Sequence, residues 1–394
     1  MKNRVMTLGE ISVFIRNGAT IKQNNQEKNG YPITRIETIS DGTIDQNRMG
    51  YAGIFEKEKY RNWFLENEDI LISHINSEKH LGKSAIYFGD KEKIIHGMNL
   101  LCFRTKKEIV ISSYLYFYFK SLKYKKNIGK IAKKSVNQAS FSIKDFRDIE
   151  INLPDIENQK KIVEKLKTIY EILKLKEEQV KKLSELSKCL FFEMFGDPIL
   201  NEKKFKAGKI RDIVSEVKYG TSKSANKGGK YPYLRMNNIT YSGELNLKDL
   251  KYIDLDEKEK EKYLVHKGEL LFNRTNSKEL VGKTCVFNID IPMVIAGYII
   301  KIKVNEKVIP EYISAILNST YGKNILKGMC KSIIGQANIN AQELQEINIL
   351  IPSIELQNKF AERIKLIEKS KFEIQQSIDE TQKLFDSLME KYFG

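Results

Sequence analysis

Apolar positions follow two different rhythms along this chain. From Arg4 to Leu153, short apolar runs such as Asp69 to Ser73 and Ser84 to Phe88 alternate with turns rich in Gly, Asn and Asp. That pattern predicts strands. One helix, near Ser112 to Leu122, is expected to interrupt them, because Tyr114 to Phe119 is apolar but far too short to span a membrane. After Pro154 the rhythm changes. Ile162, Leu166, Ile169, Leu173, Val180, Leu183 and Leu190 fall at alternating steps of four and three, with Lys176 and Ser187 in the missing places. A seam of that kind predicts one long helix facing another helix. The same plan then returns. Its second seam runs through Phe360, Ile364, Ile367, Ile374, Ile378, Phe385 and Leu388, with Lys371 and Thr381 at the polar places.

The repetition extends to single residues. Tyr31-Pro32-Ile33-Thr34-Arg35 returns as Tyr231-Pro232-Tyr233-Leu234-Arg235, and Gly82-Lys83-Ser84 as Gly282-Lys283-Thr284, at an offset of 200 (231 − 31). Gln138-Ala139, Pro154, Gln159 and Phe195-Gly196 return as Gln336-Ala337, Pro352, Gln357 and Phe393-Gly394, at an offset of 198 (336 − 138). The period is too long for a solenoid unit, so each copy is expected to be a domain. The expected fold is α+β. Two tandem strand-rich domains occupy 1–153 and 198–351, and long helices occupy 154–197 and 352–394. The helices are expected to pair as an antiparallel coiled coil that separates the domains. About 38 helical residues would make a spacer of roughly 57 Å. The polar seam positions are offset between the copies: Lys176 corresponds to Ile374, and Lys371 to Leu173. In such a pair each lysine would face apolar neighbours and snorkel outward.

Charge narrows the partner. With 394 residues and a formal net charge of +16, the chain can build two cores and still carry a large basic excess. A polyanion is the expected partner. Cys102, Cys189, Cys285 and Cys330 are scattered, with no CxxC pair, which fits a reducing cytoplasm better than a zinc site or a disulfide frame. No apolar segment follows Met1-Lys2-Asn3-Arg4 as a signal peptide would require, and no membrane partner is expected.

Several patterns imitate catalytic motifs. Gly82-Lys83-Ser84 and Gly282-Lys283-Thr284 look like the end of a P-loop, but Ser77 and Ser277 stand where its first glycine belongs. The segments that follow look like strands, where a P-loop needs a helix. Asp197 with Glu202-Lys203-Lys204 imitates a nuclease cluster, yet it lies in a polar linker and has no second copy. No Asn-Pro-Pro-Tyr-like tetrapeptide and no glycine-rich strand–turn–helix for S-adenosylmethionine occurs, so no cofactor is expected. His74, His80, His96 and His266 show no repeated ligand spacing, and His74 aligns with Arg274, so no shared metal site is expected either.

Repeated identities such as Gly18/Gly220, Tyr31/Tyr231 and Gly82/Gly282 should be scaffold. Loops that keep their place and change their letters should meet the partner. One such loop carries Lys22, Gln23 and Asn24 in the first copy and Thr221, Ser222 and Lys223 in the second. Another carries His74, Asn76, Ser77 and Lys79 against Asn273, Arg274, Thr275, Asn276, Ser277 and Lys278. The third precedes the long helix, with Lys133 and Lys134 against Lys331. His74, Asn76, Ser77, Asn273, Arg274, Thr275, Asn276, Ser277, Gln23, Asn24, Thr221 and Ser222 are the candidates for base edges, because Arg suits guanine and Asn suits adenine. Lys22, Lys79, Lys130, Lys133, Lys134, Lys223, Lys278 and Lys331 are the candidates for phosphates. The lysine-rich run from Lys120 to Lys134 belongs with them. His74 is expected as the polar tip of a recognition loop.

The helix starts Leu153-Pro154-Asp155-Ile156-Glu157-Asn158-Gln159 and Ile351-Pro352-Ser353-Ile354-Glu355-Leu356-Gln357, the terminal Phe-Gly pairs, and the stretches from Asp69 or Glu269 to Gly-Lys-Ser/Thr occur in order and twice. In this the chain resembles, over essentially its whole length, the specificity subunit of type I restriction–modification systems. One departure is the single residue between Glu and Gln, which are adjacent in many members. The resemblance implies two target-recognition domains and no catalysis. It implies binding of double-stranded DNA at a bipartite sequence, one domain per half-site, with the spacer measured by the helices. It also implies recruitment of two adenine methyltransferase subunits and, usually, restriction-translocation subunits. Two other classes fit less well: a stand-alone DNA-modifying enzyme, which would need cofactor motifs, and a coiled-coil adaptor, which would need neither the charge nor the diverged loops.

Overall fold

The computed structural model describes residues 4–23, 28–39, 42–89, 93–136, 138–333 and 336–394, without the side chains of 331–333 and 336. The chain forms two compact units, Met1–Glu177 with Gln376–Gly394, and Glu178–Gln375. Each unit therefore holds one strand-rich copy and part of both long helices.

In the first unit, strands Ser12–Asn17, Leu100–Thr105, Ile70–Ser73 and Ser84–Ile86 form an antiparallel sheet in that order. In the second, Val214–Tyr219, Ile299–Val304, Leu270–Asn273 and Thr284–Val286 repeat it. The segments after both Gly-Lys-Ser/Thr patterns are thus strands, not the helix a nucleotide loop requires. The glycine is kept for two reasons. Gly82 and Gly282 take φ of +76° and +77°, and a Cβ there would press on Ile128 at 3.0 Å or Leu326 at 2.6 Å. A second, four-stranded sheet in the second unit, Lys251–Ile253, Tyr231–Leu234, Met293–Ile295 and Leu264–Val265, is reduced in the first to single bridges such as Ile33 with Ile95 and Phe64 with Ile95.

The expected helix near Ser112 to Leu122 is in fact two. Ser112–Tyr118 stops, Ser121 caps the backbone N–H of Tyr124 at 3.2 Å, and Leu122–Ile131 begins. The two helices bury Tyr114, Leu115, Phe117, Tyr124 and Ile128 in one core. Lys120, expected among the phosphate-binding lysines, sits between the rings of Tyr116 and Tyr170, 4.4 and 4.3 Å from their centroids. It packs the core instead.

The long helices run Ile156–Phe195 and Ile354–Phe393. Both start on the same fastening. Gln159 Nε2 donates to the carbonyls of Ile109 and Pro154, and its Oε1 accepts from the Ile111 N–H at 2.9 Å. Gln357 does the same with Lys307, Pro352 and Ile309. Both glutamines are wholly buried. The repeated Pro and Gln at the helix starts are therefore structural. Gln357→Ala strands a buried N–H and carbonyls, and is expected to cost about 1–3 kcal/mol. Urea unfolding of the variant measures it; an unchanged midpoint would show the amide to be dispensable.

Within the first unit the helices pass in opposite directions. Lys176 meets Ser377 and Thr381, while the earlier Tyr170 meets the later Phe385, ring centroids 6.1 Å apart. The seam lysines do not snorkel as expected. Lys176 Nζ donates to Ser377 Oγ at 2.7 Å and Thr381 Oγ1 at 2.8 Å. In the second unit Lys371 pairs with Glu244 and with Glu368. Polar seam positions thus have polar partners, which is less costly than leaving an ammonium among apolar side chains. The linker imitation of a nuclease cluster is also resolved: Lys203 Nζ donates to the carbonyls of Glu193 and Met194 at 2.6 and 2.8 Å and caps the first long helix.

Candidate nucleic-acid interface

Two of the three diverged loops share one small sheet. In the first unit Ile75–Asn76 pairs with Ala139–Ser140, which pairs with Lys133–Lys134. In the second, Thr275–Asn276 pairs with Gln336–Asn338, which pairs with Lys331–Ile333. The loop after the strand and the hairpin before the long helix are therefore neighbours, and Lys134 forms an ion pair with Glu78 at 2.6 Å. The loop after Gly18 or Gly220 is held elsewhere in each unit, through Ala19 to Gly97 and Thr221 to Ala296.

Arg274 is the most telling side chain. Its guanidinium lies 4.8 Å from the ring centroid of Tyr219, and Nη2 donates to Asn338 Oδ1 at 3.1 Å. Its backbone is fixed on both sides, by Tyr298 O and by the Ile339 N–H. Nε is buried without a partner. The arginine is held in a set orientation by residues from three segments, and Tyr298 beside it is exposed. A preset planar fork is what bidentate recognition of a guanine edge requires.

Other candidates go to the frame. Asn273 is wholly buried; its amide donates to Thr275 O and Tyr298 O and accepts from Asn276 Nδ2. Thr221 and Thr275 are likewise buried. Asn276 caps the Ser277 N–H at 2.9 Å, and Asn76 caps the Ser77 N–H at 2.8 Å. Identical contacts in both copies mark these asparagines as turn formers. His74, expected as an exposed tip, is 6% exposed, edge-on to Phe141, with Nδ1 buried and unpartnered. Burial lowers its pKa. Asp69 and Glu269, which open the repeated stretches, fold back to accept from the N–H of Glu66 and His266 at 2.8 and 2.7 Å.

The exposed candidates are Ser77, Ser222, Lys22, Lys79, Lys130, Lys133, Lys134, Lys223 and Lys278, with Ser277 half-buried. Lys223 is paired with Glu259. Gln23 accepts from Arg35 Nε. Asn24 lies outside the described residues, as does the side chain of Lys331. Sequence reasoning missed Tyr219 and Asn338, which are far from Arg274 along the chain; no local pattern announces them. It also missed Lys258 and Lys262, because Glu257–Tyr263 alternates acid and base and reads as a solvated helix.

His96 reports on the integrity of the first frame. It is 1% exposed, donates through Nε2 to Leu100 O at 2.7 Å, and leaves Nδ1 unpartnered. Burial lowers its pKa to about 4. The unfolded chain takes up this proton near pH 6.5, the folded one only near 4, so stability is full above 6.5 and falls as the pH drops toward 4. The loss should approach about 3 kcal/mol. Urea unfolding of the wild type and of His96→Asn between those limits isolates it; parallel pH curves for the two proteins would assign the loss to other groups.

Among the described residues no helix is long and apolar enough to cross a membrane. The family model for the type I restriction modification DNA specificity domain matches residues 2–185 and 202–382. The chain belongs to this family, the DNA specificity subunits of type I restriction–modification systems. It is 40% identical over 209 residues to the protein described as "Putative type I restriction enzyme MjaX specificity subunit" of Methanocaldococcus jannaschii, covering 53% of this chain and 49% of that one. The match thus spans about half the length of that relative. It is 24% identical over 392 residues to the EcoKI specificity subunit of Escherichia coli K12, covering 91% and 81%. In fold it is similar to the type I S subunit from M. genitalium, with TM-score 0.62 at 15% identity over 100% of this chain and 96% of that one.

Proposed function

We propose that the chain is a non-catalytic subunit that reads a bipartite sequence in double-stranded DNA, one recognition domain per half-site. The observation that carries this is Arg274, held ready by Tyr219 and Asn338 at the place where the first copy has His74. One frame with different letters suits two readers of different words. Exposed lysines at 22, 79, 130, 133, 134 and 278 would supply sequence-independent affinity through phosphates. In this reading residues 1–153 and 198–351 are the recognition domains. The helices over 154–197 and 352–394 pair as an antiparallel coiled coil and set the distance between the words. The complex forms in the cytoplasm with two adenine methyltransferase subunits and with restriction-translocation subunits. The family assignment and a similar fold in a structure described for complex assembly of a type I system support it, with TM-score 0.55. Methylome sequencing of a host with and without this gene tests it: a two-part methylated word with a fixed gap should vanish on deletion. Loss of no motif, or of an undivided one, would refute the proposal.

A further inference from the structure

A groove of about 530 Å³ opens in the second unit beside Arg274. One wall is the strand end at Lys218 and Tyr219; the other is the helix Glu257–Tyr263, with Lys258, Glu261, Lys262 and Tyr263. Three lysines against one glutamate leave the groove positive. Lys218 is paired with Glu216. Lys258 and Lys262 are exposed, and among the described residues neither is in an ion pair. The Lys262 ammonium stands 5.1 Å from the Tyr263 ring centroid. Tyr219 is shared between groove and reader, because its ring also carries Arg274.

The first unit is built differently at this place. Arg16 corresponds to Lys218: each lies opposite the residue that faces Leu71 or Leu271 across the next strand pair. Arg16 stacks on Phe14 at 4.0 Å and its Nη2 donates to the carbonyl of Asn62, the counterpart of Lys262. That arginine bridges the two elements whose counterparts form the groove walls in the second unit. The position of Phe14 is taken by Glu216, which draws Lys218 aside. The contacts at this place therefore differ between the two readers.

We propose that this groove holds the DNA sugar–phosphate backbone next to the base met by Arg274, so that the two half-sites are clamped unequally. The inference rests on the DNA-reading role above. The groove is lined by Lys258 and Lys262 and by Tyr219 and Tyr263, and through Tyr219 it adjoins Arg274. Phosphodiesters have the matching charge. On the His74 side, Lys134 is paired with Glu78.

The test uses the full chain and a duplex carrying its own methylated word. Each phosphate contact contributes a slope of about 0.9 to the fall of log K with log salt. Lys258→Gln with Lys262→Gln should make the slope shallower by about 1.8 and weaken binding roughly 60-fold near 0.1 M salt, leaving sequence preference unchanged. A control pair on the second long helix, Lys365→Gln with Lys369→Gln, should leave the slope alone. Neutral methylphosphonate linkages beside the Arg274-dependent base should erase the difference between wild type and groove variant; the same linkages in the other half-site should preserve it. An unchanged slope, an equal effect from the control pair, or a difference that survives the neutral linkages at the first position would overturn the proposal. A wild type with no sequence preference would instead refute the DNA-reading role on which it stands.

Discussion

Arg274→Ala is expected to weaken discrimination at a single base position of one half-site by about 1–3 kcal/mol. The other half-site should be read as before. The guanidinium is preset over Tyr219 and tied to Asn338, so little ordering is needed when it meets a base edge. Arg274→Lys should fail nearly as badly, because an ammonium is a point charge and cannot make the two parallel bonds. Competition binding against duplexes with each base replaced in turn is the measurement. If both half-sites weaken together, or only the salt slope changes, Arg274 is a phosphate contact or a structural residue. Thermal unfolding of the variant separates these, since loss of the Tyr219 stack alone should cost little.

Much of this architecture is legible in the sequence because its signals are local and doubled. The heptad seams, the Pro and Gln at the helix starts and the terminal Phe-Gly are each read from neighbours along the chain, and the helices fall at Ile156–Phe195 and Ile354–Phe393. The logic of scaffold against reader holds for Gly82 and Gly282, whose positive φ and packing against Ile128 and Leu326 disfavour a side chain. Asn76 and Asn276 sit between the two: they repeat exactly in place inside candidate reader loops, and each caps the next N–H. The tip position expected of His74 is not what the structure shows. A polar residue after a strand looks exposed, but Phe141, distant in sequence, covers it. The groove lysines were invisible because an alternating acid–base helix carries no record of which face a distant strand will meet. Tertiary contacts, not composition, separate Lys134, paired with Glu78, from Lys262, which is in no ion pair among the described residues.

Lengthening the helices should change the gap between the two DNA words and leave the words intact. Each unit contains part of both long helices, the boundaries falling at Glu177 and Gln375. An insertion in one helix alone would put it out of step with its partner, so the informative variant carries seven extra residues after Glu178 and seven after Gln375. Seven residues preserve the phase of a heptad seam. Lys176 then keeps Ser377 and Thr381 within the first unit, and Phe195 keeps Phe360 within the second. The added helix is roughly 10 Å, near three base pairs of rise. Methylome sequencing of a host carrying the variant should return both words with a gap about three base pairs longer. Two inserted residues in each helix should instead turn apolar seam positions toward water and destabilise the protein, which unfolding would register. Should the seven-residue variant keep the original gap, the helices do not measure the spacer, and the distance is set by the recognition domains or by the partner subunits.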